Sequence, residues 1–312
     1  MVSKKKPIVV VGSINVDLVA RTERIPVIGE TTLGVDFQTH PGGKGANQAV
    51  AVARLGHPVV MIGKVGSDSF GTQLRADLQG AGVDIGGVDV TPGNSGVAMI
   101  LVSTRGENSI VVTPGANAML TPEDLDIHLD LIRAASIVLT QLEIPISTVE
   151  HLANICRREG IPLMLDPAPA QALPAAVLRG VQWFTPNVTE AEFFMGTSPH
   201  NGDSLTSSEI AGALLRSGVP GAILKLGANG VHIATSQGLD EHIGAFPVHA
   251  VDTTAAGDSF NGAFATALVL GKTPVQSAHF AAAAAAISVT RHGAQPSMPT
   301  LKEVEQLLAR GR

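Results

Sequence analysis

The chain has 312 residues, 45% hydrophobic and 15% charged, with a net charge of −6 from 21 Lys and Arg against 27 Asp and Glu. That balance fits a globular protein with ample apolar surface to bury and argues against a broad electrostatic footprint for nucleic acid. No apolar run approaches the roughly 18 residues of a bilayer span, so neither nucleic acid nor membrane is expected as a partner.

In chain order, Met1–Lys6 is basic but leads directly into the strand-like run Ile8–Val11. It lacks the longer apolar region of a signal peptide. Gly12-Ser13-Ile14-Asn15-Val16-Asp17 follows. Asn15 and Asp17 alternate with apolar neighbours and so share one face, suited either to bind a diol at a strand's carboxyl end or to form an Asx turn. Residues about 16–40, with Pro26, Gly29 and Gly34, show no helix period. Residues about 96–113 read as a hairpin, Val97–Ser103 turning through Arg105–Asn108 into Ile110–Thr113. Together they are expected to form a small β-sheet lid on the body, or else an edge extension of its main sheet.

Between them, His40-Pro41-Gly42-Gly43-Lys44-Gly45-Ala46-Asn47-Gln48 is a Gly-rich turn entering a helix. Ala46, Ala49, Val50 and Ala53 carry the helix period, and Gly56 supplies a stop. Backbone N–H groups here and the Asn47 amide can meet sugar hydroxyls. The segment is not a Walker A loop, because Gly45 stands where Ser or Thr should follow Lys44; Gly271-Lys272-Thr273 fails too, with Thr266 in place of the first Gly.

The runs Val59–Ile62, Ile137–Leu142, Leu163–Leu165 and Ala222–Leu226 are Val, Ile and Leu-rich without clean alternation, as strands covered on both faces are. Helical patterns separate them, among them Phe70, Leu74, Leu78 and Ala81. The fold class expected is α/β, doubly wound, with a mostly parallel central sheet and helices on both faces. Glu143 follows one such run, and Asn187 and Glu190 follow the apparent strand Val181–Phe184. Unaided, Glu190 reads as an early-helix acid favoured by the helix dipole. Cys156 is the only cysteine, so no intrachain disulfide can form; a structural thiol and a cytoplasmic setting are expected.

Val251-Asp252-Thr253-Thr254-Ala255-Ala256-Gly257-Asp258-Ser259-Phe260 opens the helical C-terminal third. Ala255, Ala256 and Gly257 would present consecutive N–H groups at a helix N-terminus, a site for phosphate oxygens. Asp258 is placed either to cap that helix or to take a proton inside the same site; the segment alone leaves both open.

Taken together these segments resemble the ribokinase-like carbohydrate kinase family. Gly42–Ala49 looks like its first signature and Asp252–Gly262 its second, while Asn187-Val188-Thr189-Glu190 resembles its Asn-x-x-Glu motif and Arg291–Ser297 its C-terminal loop. The likeness spans nearly the whole chain, implying one domain over residues 1–312. It implies ATP-dependent phosphorylation of the primary hydroxyl of a small sugar, first D-ribose to give ribose 5-phosphate. Deoxyribose, fructose, or a catalytically silent sensor of sugar or nucleotide are the alternatives. By resemblance, Asp258 is the base and the Ala255, Ala256 and Gly257 N–H groups form the anion hole. Asn15, Asp17, Gly42, Gly43, Lys44, Asn47 and Glu143 would bind sugar. Asn187 and Glu190 would place Mg²⁺ and phosphates, with Lys225, Gly227, Gly257 and Ala282 at the nucleotide. A K⁺ ion would be held by Asp252, Thr254, Ser288, Arg291, Gly293 and Ser297, mostly through carbonyls. Ala282 stands where the family often has Asn, which implies relaxed ATP preference. A homodimer through the lid is implied as well.

Overall fold

A computed structural model describes residues 5–196 and 205–310; the basic Met1–Lys4 lies outside them. Thirteen strands are present among these residues: β1 (Ile8–Val11), β2 (Asn15–Thr22), β3 (Gly34–Gly42), β4 (Val59–Gly66), β5 (Asp84–Thr91), β6 (Gly96–Ser103), β7 (Asn108–Thr113), β8 (Ile137–Thr140), β9 (Leu163–Leu165), β10 (Trp183–Phe184), β11 (Gly221–Lys225), β12 (Val231–Thr235) and β13 (Asp240–Ile243).

Nine of them form the central sheet in the order β13-β12-β11-β10-β9-β8-β1-β4-β5. All neighbours from β11 to β5 pair in parallel; β12 and β13 add an antiparallel edge. β1 explains why the sequence shows no alternation. All four of its residues are fully buried, with Ile8 and Val10 in one core and Val9 and Val11 in the other. Helices Lys44–Arg54, Ala256–Val269 and Pro274–Ser288 supply the first core, and Ile146–Glu159 and Ser207–Arg216 the second. The chain runs from β1 outward to β4 and β5, then returns to β8 on β1's other side. That reversal is a topological switch point, where the carboxyl ends of neighbouring strands open a crevice for ligands.

The other four strands form a separate sheet, β3-β2-β6-β7, parallel only between β2 and β6. Its far strand β7 is exposed at every position, and Val35 and Phe37 on β3 are exposed as well.

Strand ends depart from the sequence reading where the backbone finds a local partner. The Val181 N–H closes onto Leu178 O, so β10 keeps only Trp183 and Phe184. β8 stops at Thr140 because Leu142 N donates to Ala168 O outside the ladder. The β12–β13 hairpin was not anticipated. Cys156 is buried and free, and burial pushes its thiol up to about 12, as a structural thiol requires. Among the described residues, no helix is long and apolar enough to cross a membrane.

Candidate active site

The crevice at the strand ends contains a cleft of about 680 Å³. Lys44, Asn187, Glu190, Lys225, Gly227, Ala255, Ala256, Gly257, Asp258 and Ala282 all line it. Every residue expected at the phosphates or nucleotide is therefore on its wall, together with Lys44, which was expected among the sugar contacts.

Asp258 occupies the third position of helix Ala256–Val269, whose N-cap Ala255 makes no side-chain bond. The aspartate therefore does not cap its own helix. Its carboxylate turns inward, with Oδ2 accepting from Asn47 Nδ2 at 3.0 Å and Oδ1 from Gln48 Nε2 at 3.1 Å. It is 5% exposed. Burial pushes its pKa up to about 6, nearby Asp166 adds to the rise, and Lys44, Asn47 and Gln48 oppose it. Around it, the Ala256 N–H reaches only Thr253 O, at 3.3 Å, and those of Ala255, Gly257 and Asp258 meet no acceptor among the described residues. An uncapped first turn with free N–H groups is what an incoming phosphate needs.

On the far side of Asp258 stands a polar cage built from the loops after β1 and β8, β2, and the Gly-rich turn. Asp17, on β2, lies so close to Gly42 that a Cβ there would collide with its carboxylate. Burial drives the Asp17 pKa up to about 7, helped by the charges of Glu143 and Asp258 and opposed by Lys44. Asn15 is 2% exposed and its Oδ1 accepts from Asn117 Nδ2 at 2.7 Å, leaving its own NH₂ as the free end. Glu143 Oε2 accepts from Ser13 Oγ at 2.5 Å and from Lys44 N at 3.1 Å. Asn47 Oδ1 is buried without a partner among the described residues. Gly43, at φ +88°, makes the turn from which helix Lys44–Arg54 starts. The expectation that backbone N–H groups of this turn meet hydroxyls does not hold for Lys44, Gly45 and Ala46, which already bond Glu143, Ser13 Oγ and Ser13 O.

Burial works against the Lys44 charge, yet the carboxylates of Asp258, Asp166, Glu143 and Glu190 hold it protonated well above its usual range. Asn187 and Glu190 close a capping box at the start of helix Val188–Met195, so the early-helix reading of Glu190 holds structurally. Its pKa is nonetheless raised, by burial and by Asp166 against the pull of Lys225, because it also faces the cleft.

The remaining predicted residues form a separate cluster. Asp252 Oδ1 accepts from Thr254 N at 2.9 Å and Oδ2 from Gly293 N at 2.8 Å, tying the segment before helix Ala256–Val269 to the C-terminal loop. Burial opposes the charge, but these bonds hold the carboxyl below the usual range. The Ser288 carbonyl accepts from Arg291 N, and the Ser297 hydroxyl donates to Ala294 O.

Asp166, Gln48, Gln141, Ser13 and Asn117 were missed. Asp166 directly follows β9, bonds Lys225 Nζ at 2.9 Å and lines the cleft. Like Glu143, which was assigned by the family resemblance, it is an acid just past an apolar run, a signal present in the sequence.

The pfkB family carbohydrate kinase model matches residues 5–301. The chain is 43% identical over 303 residues to ribokinase from Bacillus subtilis, covering 97% of this chain and 99% of that one. It is 36% identical over 304 residues to deoxyribokinase from Salmonella typhi, covering 97% and 98%. The structure of Arabidopsis thaliana ribokinase complexed with ribose and ATP superposes with a TM-score of 0.89 at 36% identity, covering 97% of this chain and 98% of that one.

Proposed function

The chain belongs to the pfkB family of carbohydrate kinases, and we propose that it moves the γ-phosphoryl group of ATP onto the primary hydroxyl of D-ribose, giving ribose 5-phosphate. The observation that carries this reading is the position of Asp258. One buried carboxylate, fixed by two amides, stands between a cage of hydroxyl-binding groups and a cleft that ends on an uncapped helix. There Asp258 accepts the hydroxyl proton as the sugar oxygen attacks. The Ala255, Gly257 and Asp258 N–H groups face the charge that develops on the transferring phosphoryl oxygens. Asn15, Asp17, Asn47 and Glu143 pair the sugar hydroxyls, Gly42 and Gly43 give the sugar close access, and Lys225, Gly227 and Ala282 border the nucleotide.

ATP is used with Mg²⁺. Among the described residues no cluster of three or more His, Cys, Asp or Glu could hold a metal ion on its own, which suits a hard cation held largely by phosphate oxygens and water. Asn187 and Glu190 would orient that hydrated ion, which neutralises phosphate charge when bound. K⁺ is the further cation proposed. Asp252 already draws Thr254 and Gly293 together, so an ion shared by carbonyls of Thr254, Ser288, Arg291 and Gly293 with Ser297 would stiffen the segment carrying the anion hole. Equal activity in K⁺-free Na⁺ or choline buffer would remove this claim. The lid is the four-stranded sheet, and its exposed apolar residues Phe37, Ile110, Val111 and Val112 support pairing with a second copy. Sedimentation of a Phe37→Glu variant as a monomer is the expected check. A reducing cytoplasmic setting accords with the free, buried Cys156.

A coupled ADP-release assay with ATP, Mg²⁺ and K⁺ over ribose, 2-deoxyribose and fructose tests the substrate. Highest kcat/KM on ribose is expected. Preference for 2-deoxyribose is the second reading, favoured by the 36% identity to a deoxyribokinase; it would overturn the sugar assignment while keeping the role of Asp258.

A further inference from the structure

Beneath the cleft, buried side chains form a relay that none of the roles above uses. Gln141, directly after β8, and Gln48, in the second turn of helix Lys44–Arg54, are 0% and 1% exposed. Neither reaches the cleft wall. Gln141 Nε2 donates to Gln48 Oε1 at 2.7 Å. Gln48 Nε2 donates in turn to Asp166 Oδ2 and Asp258 Oδ1, both at 3.1 Å. The other oxygen of each carboxylate is taken as well, Asp258 Oδ2 by Asn47 and Asp166 Oδ1 by Lys225.

Chemistry dictates the direction of this relay. Ionised carboxylates only accept, so Gln48 must present its NH₂ to them and its oxygen to Gln141. Gln141 must then present its own NH₂. Turning either amide over would set oxygen against oxygen. The Gln141 oxygen ends against Gly12, where a Cβ would collide with it, and finds no donor. Leaving a buried acceptor unpaired is unfavourable, so its persistence needs a return elsewhere.

We propose that Gln48, oriented by Gln141, is a positioning residue that aims the Asp258 carboxylate and, by sharing one donor between Asp258 and Asp166, keeps the two like charges compatible at short range. The proposal rests on Asp258 being the base. The charged groups facing Asp258 are Lys44 from the Gly-rich turn, Asp17 from β2 and Asp166 after β9. Asn47 and Gln48 are its hydrogen-bonding neighbours. Removing the Gln48 donor leaves Asp258 and Asp166 facing each other with nothing between, which favours the protonated base.

The test is kcat and KM as functions of pH, in ATP, Mg²⁺, K⁺ and ribose, for Gln48→Met, Gln141→Met and the double variant. Gln48→Met should lower kcat by roughly 10–100-fold, below the full loss of a general base, with KM for ribose within about threefold. Its acidic limb should move up by about one pH unit. Gln141→Met should shift kcat and the limb in the same direction by less. The double variant should be no worse than Gln48→Met, because the two act as one unit. Fully additive losses, or a lowered melting temperature with an unmoved acidic limb, would overturn the relay. Should Gln48→Met not fold, the limb of Gln141→Met decides the matter. Asp258→Asn separates this from the reading beneath it. Retained turnover there would refute the base, whereas an inactive Asp258→Asn beside an unaltered pH profile in Gln48→Met would refute the relay alone.

Discussion

Two Gly-rich turns leave the same crevice and each enters a helix, yet they are finished in opposite ways. Neither helix, Lys44–Arg54 nor Ala256–Val269, has a capping side chain on its N-cap residue. At the first, Glu143 and Ser13 reach across from the loops after β8 and β1 and satisfy the N–H groups of Lys44, Gly45 and Ala46. At the second, only Thr253 O reaches the turn among the described residues, bonding Ala256 N, and the N–H groups of Ala255, Gly257 and Asp258 meet no acceptor there. A glycine-rich sequence before a helix thus does not by itself make an anion site. The acceptors brought by the rest of the fold decide it, and here they satisfy the N–H groups of one turn and leave those of the other without partners among the described residues.

The strongest way to break this comparison is at the residue between the two turns. Asp258→Asn should lower kcat by about 10²–10⁴ while sugar binding largely survives; near-normal turnover would refute the base. Asp17→Asn probes the cage on the closed side. Losing charge-assisted bonds to hydroxyls should weaken ribose binding by about 1–3 kcal/mol, read by calorimetry. Its stability should move the other way. A carboxyl whose native pKa is raised binds its proton more tightly folded than unfolded, so its contribution is present at low pH and is lost as pH climbs from 3.8 through about 7. Asp17→Asn should therefore melt higher than the parent at pH 8, with the gap narrowing towards pH 5. A gap that widened on acidification would contradict the burial of that charge.

The two turns also mark how far the sequence could be read. Buried strands, both helix starts and the strand-end positions of Glu143 and Asn187 were legible, because apolar runs and glycine-rich breaks follow from local chemistry, whereas Asn15 and Asp17, expected at a strand's carboxyl end or in an Asx turn, open β2 instead. Which N–H groups would be free was not, since Glu143 is 99 residues from Lys44 and Ser13 is 32 from Gly45. The same holds for Gln48 and Gln141, whose bond joins residues 93 apart. Asp166 is different: its place just past the apolar run Leu163–Leu165 was readable in the sequence. The Asn229-Gly230 pair likewise carried a turn signal for the antiparallel connection from β11 to β12.

The closed turn should be sensitive to a smaller change. Ser13 is fully buried and serves two partners, donating to Glu143 and accepting from Gly45 N. Ser13→Ala strands one N–H and removes one of the two donors to Glu143 Oε2, a loss of about 1–3 kcal/mol in unfolding free energy. Ribose affinity should fall with it, whereas nucleotide affinity should hold. A parallel fall in ATP affinity would mean that the two turns are mechanically joined and the comparison too sharp.

The open turn predicts a change of opposite sign. Ala255 is the only non-glycine residue with positive φ among those described, at +56°. The left-handed region costs an L-residue about 1–2 kcal/mol, and no side-chain cap offsets it. Ala255→Gly removes that strain but adds about 0.4–1 kcal/mol of unfolded-state entropy. The balance should be a small gain in stability, visible as a higher urea midpoint at unchanged slope. Catalysis should drop, by well under the 10²–10³ of a deleted oxyanion donor, since the N–H remains but is less firmly aimed. A lower midpoint would instead assign the turn's geometry to the packing of the Ala255 methyl against the core beneath it. The strained residue would then be held from below, as the closed turn is held from across the crevice.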